Sequence, residues 1–154
     1  MKISAKGLAL IKQEERFMPR RYLCPAGKPT IGYGHVILPT EPHLHTATLT
    51  KPEASKLLEK DVAQLYGAHV ARRLKRVVTQ NQFDALVSFT YNIGTGGFDQ
   101  SSVLRLANAG TTDATAITVA FGAWNKVTNP KTKLKEVSKG LTTRRATEAA
   151  LYLS

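Results

Sequence analysis

Glu14, Glu15, Cys24 and Thr30 crowd into one short stretch of a strongly basic chain, and Ile31-Gly32-Tyr33-Gly34-His35 follows at once. Groups of these types can deliver a proton to a leaving oxygen or position a water on the other side of a bond. Cleavage of a glycosidic bond needs that pair of functions. A glutamate donates the proton only where partial burial favours its neutral form. Both glutamates fall where a first helix ends and its apolar face closes on a core. Glu15 continues the stripe of Leu8 and Ile11, and Glu14 lies beside it through Leu10, so periodicity does not choose between them. Taken singly, each has an ordinary alternative: a solvated helix-end glutamate, or a small buried cysteine.

The elements that must position these groups are legible around them. Ser4 caps the first helix, and Pro19 keeps it from running on. "RRYLCPAGKPTIGYGHVI" reads as two short strands about a Pro-Ala-Gly turn. Gly32 and Gly34 alternate there with Ile31 and Tyr33, leaving one strand face bare for a bulky polymer. Residues 37–50 read as an irregular loop, with His43 and His45 too few to hold a metal. Thr50-Lys51-Pro52-Glu53 opens a helix with a capping box, and Thr79 to Gln82 repeats that logic ahead of the nearly all-apolar "FDALVSFTYNIG". Gly94, Gly96 and Gly97 are expected to end that helix, and Ser101 or Ser102 to open the next. A lysine-rich loop, "NPKTKLKEVSKG", leads to a last helix, "TTRRATEAALYL". The outline is α+β and mostly helical.

Composition narrows the class. A chain of 154 residues suits one domain with a sizeable core, and 42% hydrophobic content excludes a disordered polymer. A net charge of +11 attracts polyanions without choosing among nucleic acid, anionic lipid and acidic wall polymer. The single cysteine excludes an internal disulfide and a thiolate-rich zinc site. No run is apolar for long enough to span a bilayer, and the opening apolar run meets Lys12, Glu14 and Glu15 too soon for a secretory signal.

Glu15, Cys24 and Thr30 together form Glu-x8-Cys-x5-Thr, with the threonine running into Ile-Gly-Tyr-Gly-His. This resembles the T-even phage lysozyme family, glycoside hydrolase family 24, in its cysteine-bearing branch. "LTKPEASKLLEKDV", "NQFDALVSFTYNIG", "SSVLRLANAG", Trp124 and "GLTTRRATEAALYL" continue the likeness over essentially the whole chain. The resemblance implies one lysozyme-like domain over 1–154 with two lobes. These are a small hairpin lobe at about 15–50, a connecting helix at about 51–71, and a helical lobe over 72–154 plus the first helix. It makes Glu15 the general acid, gives Thr30 the attacking water and sets Cys24 in the second-carboxylate position as base, nucleophile or orienter. Gly32, Gly34, Tyr91, Asn92 and Ser102 are then candidates to meet substrate. His35 and Asp61 form an expected structural ion pair, since a carboxylate at the edge of an apolar stripe needs a partner. The family usually has glycine directly after its catalytic glutamate, where this chain has Arg16. An arginine close to a general acid favours the wrong ionisation state, so Arg16 and Arg21 are expected to point away from the cleft.

The implied activity is that of a phage endolysin, a muramidase acting on peptidoglycan glycan strands as a monomer, without metal or cofactor and without specific nucleic acid. Such an enzyme would wait in host cytoplasm until a holin-type membrane lesion admits it to the periplasm and wall. Its charge suits lipopolysaccharide or another anionic envelope polymer. Two rivals stand beside it. A lytic transglycosylase needs only the glutamate and yields anhydro-muramic products. A non-catalytic cationic protein that binds envelopes or nucleic acid needs no particular spacing at all.

Overall fold

The computed structural model describes residues 1–154 throughout. Helix α1 (Ala5–Glu15) leads into a three-stranded antiparallel sheet, β1 (Met18–Leu23), β2 (Pro29–Gly32) and β3 (His35–Val36), in the order β1-β2-β3. A 3₁₀ turn at Pro42–His45 precedes α2 (Lys51–Asp61). A π-helical turn at Val62–Tyr66 carries α2 straight into α3 (Gly67–Arg73). Then come α4 (Gln80–Gln100), α5 (Ser102–Ala109), α6 (Ala114–Gly122), a second hairpin of β4 (Lys126–Thr128) and β5 (Lys135–Val137), and α7 (Lys139–Leu153).

Local chemistry sets these boundaries. The Ser4 hydroxyl accepts from the Gly7 amide and itself donates to Asp84, a fully buried carboxylate that ties the start of α1 to α4. Thr50 with Glu53, and Thr79 with Gln82, complete both expected capping boxes. Asp113 caps α6, Ser138 caps α7, and Gly110 in the left-handed region closes α5.

Helix α4 is buried on every side from Phe83 to Tyr91 and packs against α1, α3, α5 and α7. The Phe89 ring meets Phe121 and Trp124 edge-on, and Phe121 meets Tyr152. Each such ring contributes about 1.5–3 kcal/mol by leaving water. A separate small core, Ile31, Ile37 and Leu44, sits under the sheet with Leu57 of α2 packed against it. Two cores joined by one interrupted helix make this a two-lobed, mostly helical α+β fold.

Three local expectations are corrected, and one left open between two serines is decided. The first hairpin has a third strand, because Thr30 and Ile31 pair with Val36 and His35 after the glycine turn. Gly94 breaks α4 at φ 82°, ψ 162°, yet the helix resumes to Gln100 because Phe98 anchors the second piece in the core. The lysine-rich segment is not a loop: Lys126–Thr128 pairs with Lys135–Val137 in an exposed hairpin, where backbone pairing needs no apolar face. Ser101, not Ser102, caps α5, accepting from the Leu104 amide at 3.1 Å.

Candidate active site

Glu15 is the last residue of α1, so its side chain projects where the helix gives way to the sheet. The chain turns there through Arg16 at φ 56°, ψ 149°, a conformation few side-chain-bearing residues adopt. Arg16 and Arg21 are both exposed, and neither is paired with Glu15. The cation on Glu15 comes instead from α7: Arg144 Nη1 donates to Glu15 Oε1 at 2.6 Å. Glu15 Oε2 takes part in no hydrogen bond and faces Gly34, where a Cβ would stand 3.4 Å from it.

Arg144 is itself gripped from behind. Its Nε donates to Glu148 Oε1 at 3.1 Å, and its Nη2 donates to the Ser88 carbonyl at 3.3 Å. Glu148 is fully buried, accepts from the Ser88 hydroxyl at 2.8 Å, and lies 3.0 Å from Arg145 Nε. Burial works against charge on Arg144, but Glu15 and then Glu148 outweigh it and hold the guanidinium above its ordinary range. Two guanidinium groups thus face two carboxylates in one cluster, Glu15 being one of the two, and the charges balance when Glu15 is ionised.

The sheet supplies the other groups. Cys24 lies just past β1 in a tight turn, where its amide donates to the Lys28 carbonyl and its carbonyl accepts from the Gly27 amide. Hydrogen bonding from the Lys28 backbone, ahead of the Ala26 backbone and the Thr30 hydroxyl, holds the Cys24 thiol below its ordinary pKa, with burial opposing. Thr30 is almost fully buried on β2, and its hydroxyl donates to the Lys28 carbonyl at 3.0 Å. That single hydrogen serves either the Lys28 carbonyl or the Cys24 sulfur, and in both cases the oxygen keeps lone pairs to accept from a water.

The glycines do not make one bare strand face. Gly32 (φ 70°) and Gly34 (φ 85°) are the corners of a turn between β2 and β3, not extended positions. Gly32 packs on Ala54 of α2, where a Cβ would stand 3.2 Å from the Ala54 Cβ, with Leu49 beside it. At Gly34 a Cβ would sit 3.3 Å from the Tyr91 hydroxyl as well as against Glu15. The Tyr91 hydroxyl in turn donates to the Tyr33 carbonyl at 2.6 Å, and its ring packs on Tyr66 with centroids 4.7 Å apart.

The remaining candidates separate. His35 is buried, with Nδ1 2.7 Å from Asp61 Oδ2 and Nε2 2.8 Å from Glu41 Oε2. The Asp61 hydrogen bond, against burial and with help from Glu41, raises its pKa above 6.5. For Glu41 burial pulls the other way, but His35 and then the Leu38 amide leave the carboxyl below its usual range. Asn92 is exposed, but its Oδ1 accepts from Arg145 Nη2 at 2.9 Å, so its amide belongs to the α7 cluster. Ser102 is exposed at the start of α5, outside the group formed by Glu15, Gly34 and Tyr91.

Sequence reasoning missed Arg144, Glu148 and Glu41. Their signals were present: Arg144, Arg145 and Glu148 lie one helical turn apart in a final helix otherwise rich in Ala and Leu, and Glu41 is the one acid in the loop before α2.

Likeness to known proteins runs along the whole chain. The family model described as phage lysozyme matches residues 12–148. The endolysin of Bacillus phage PZA is 42% identical over the whole of this chain, which spans 56% of that longer protein. An endolysin from Escherichia coli O157:H7 phage FAHEc1 superposes with a TM-score of 0.86 at 39% identity, covering 99% of this chain and 94% of that one. The muramidase domain of SpmX from Asticaccaulis excentricus gives a TM-score of 0.85 at 37% identity over 99% and 98% of the two chains. A match running from the first helix through Glu15, Cys24 and Thr30 to Glu148 of α7 settles the kinship: the chain belongs to the phage lysozyme family.

Proposed function

We propose that this protein is a phage endolysin, a muramidase that hydrolyses the β-1,4 bond between N-acetylmuramic acid and N-acetylglucosamine in peptidoglycan. The observation that carries the reading is Glu15, with one oxygen clamped by Arg144 and the other left free over Gly34. A proton on Oε2 passes to the glycosidic oxygen as the bond to the anomeric carbon breaks. On the opposite side a water donates one hydrogen to Thr30 Oγ1, which turns its lone pair toward that carbon. Cys24, in its ionised form, takes the water's other proton as the new C–O bond forms, leaving Glu15 ionised and Cys24 neutral until solvent resets both. Arg144 stabilises the carboxylate at the end of the step, when its charge appears.

In this reading the hairpin lobe spans about 15–50, the connecting helix about 51–71 and the helical lobe 72–154 with the first helix, and the polymer lies between them; the small core of Ile31, Ile37 and Leu44 supports the division. No helix is long and apolar enough to cross a membrane. As an endolysin, the enzyme waits in host cytoplasm for a holin-type lesion and then acts on the wall.

Digestion of purified peptidoglycan by the parent and by Glu15→Gln, with muropeptides weighed by mass spectrometry, tests this reading. Reducing muramic ends from the parent alone are expected. Anhydro-muramic ends would make the protein a transglycosylase, and matching blanks would leave a cationic binder.

A further inference from the structure

The end of α3 and the outer face of α5 enclose a recess of about 310 Å³ that shares no residue with the Glu15 site. Arg72, Arg73, Lys75 and Arg105 line it, against Asp99 as its only acid, a local balance of four positive charges to one negative. Asp99 is already committed, lying 2.8 Å from His69 Nε2 and accepting from Arg73 Nε at 2.8 Å. Arg72, Lys75 and Arg105 therefore line the recess with no carboxylate of their own. The floor is fixed. The Lys75 amide donates to Asn108 Oδ1 at 2.8 Å, and Asn108 Nδ2 donates back to the Arg73 carbonyl at 3.1 Å, tying α3 to α5.

Like charges held together on a rigid frame repel one another, and an anion entering the recess relieves all of them at once. Guanidinium forks match tetrahedral phosphate oxygens better than they match a single-point anion. We propose that this recess binds a phosphate group carried on an anionic envelope polymer or lipid, holding the enzyme on its substrate through a site separate from the cleft. That the phosphate belongs to the cell envelope rests on the muramidase reading; that the recess takes phosphate does not.

The test titrates isotope-labelled protein with inorganic phosphate and pyrophosphate, following amide shifts in the parent and in Arg72→Gln/Arg105→Gln. Both side chains are exposed, so the double variant is expected to fold. Saturable shifts at the end of α3 and along α5, weakened about tenfold or more in the variant, are expected. Shifts scattered over the lysine surfaces, or equal responses in both proteins, would overturn the site. Cosedimentation with phosphatidylglycerol vesicles, and separately with wall glycan bearing polyol phosphate, identifies the source by which binding the variant loses; retention of both would overturn the envelope role. Muropeptide release from phosphate-free soluble glycan is expected to be the same in parent and variant. Were the parent itself inactive there, the muramidase reading would fall, while the phosphate titration would still decide whether the recess is a site.

Discussion

At the scale of single residues, the site depends on dividing the two oxygens of one carboxyl group. Arg144 occupies Glu15 Oε1, so in the proposed reaction only Oε2 is free to carry the proton. Glu15→Gln keeps an acceptor for Arg144 but removes the acid and the buried guanidinium's charge partner; turnover is expected to fall by about 10²- to 10⁴-fold, with a lowered thermal midpoint. A circular-dichroism melt beside the peptidoglycan assay checks both halves. Cys24 makes a second prediction. With its thiol held below the ordinary 9.0, first by the Lys28 backbone and further by Thr30, alkylation by iodoacetamide should reach half its limiting rate below that pH. Thr30→Val removes one of those donors and should move the midpoint upward. An unmoved midpoint would separate the two side chains chemically and remove Thr30 from the proposed water site.

At the scale of elements, the joint between α1 and β1 carries a local conflict. Arg16 holds φ 56° with a full side chain, and such positions cost about 1–3 kcal/mol. Arg16→Gly relieves that strain, against about 0.4–1 kcal/mol of added freedom in the unfolded chain. A net gain of about 1 kcal/mol in a denaturant titration is expected. The β3–α2 joint gives a pH signature. His35 gains a raised pKa on folding, so its contribution is whole below 6.5 and fades as pH rises through the folded value. Glu41 has a lowered one, so its contribution is whole above 4.5 and fades as pH falls through the folded value. Stability from this cluster is thus greatest between those two pH values. Asp61→Asn should flatten the alkaline decline, which a melting series from pH 4 to 9 would reveal; an unchanged slope would sink the pairing's role. Helix starts were legible at this scale because caps are local: Ser4, Thr50 and Thr79 each bond within three residues. The β4–β5 hairpin was not, because its strands are wholly exposed and leave no apolar alternation to read.

At the scale of the whole molecule, two cores must hold one cleft in register. The sequence motif could propose Glu15, Cys24 and Thr30 together because their spacing lies within one local stretch. It could not name Arg144, which reaches Glu15 from 129 residues away, since nothing in a helical pattern says which face meets a distant carboxylate. The same long reach applies to Tyr91, whose hydroxyl bonds the Tyr33 carbonyl across 58 residues and so fastens the hairpin turn to α4. Burial, and next the charges of Glu15 and Asp61, push this phenol well above its ordinary range, so it stays a neutral donor at any working pH. Tyr91→Phe keeps the ring on Tyr66 and removes that single bond, leaving a buried carbonyl unpaired at a cost of about 1–3 kcal/mol. The turn bearing Gly34 would then be free to drift from Glu15, and misplacement of a reacting group lowers turnover far more than binding. The expected result is a modest loss in a denaturant titration together with a fall in kcat that exceeds any rise in KM. A variant that loses stability with kcat intact would show that the bond serves the fold alone and that the cleft keeps its register without it.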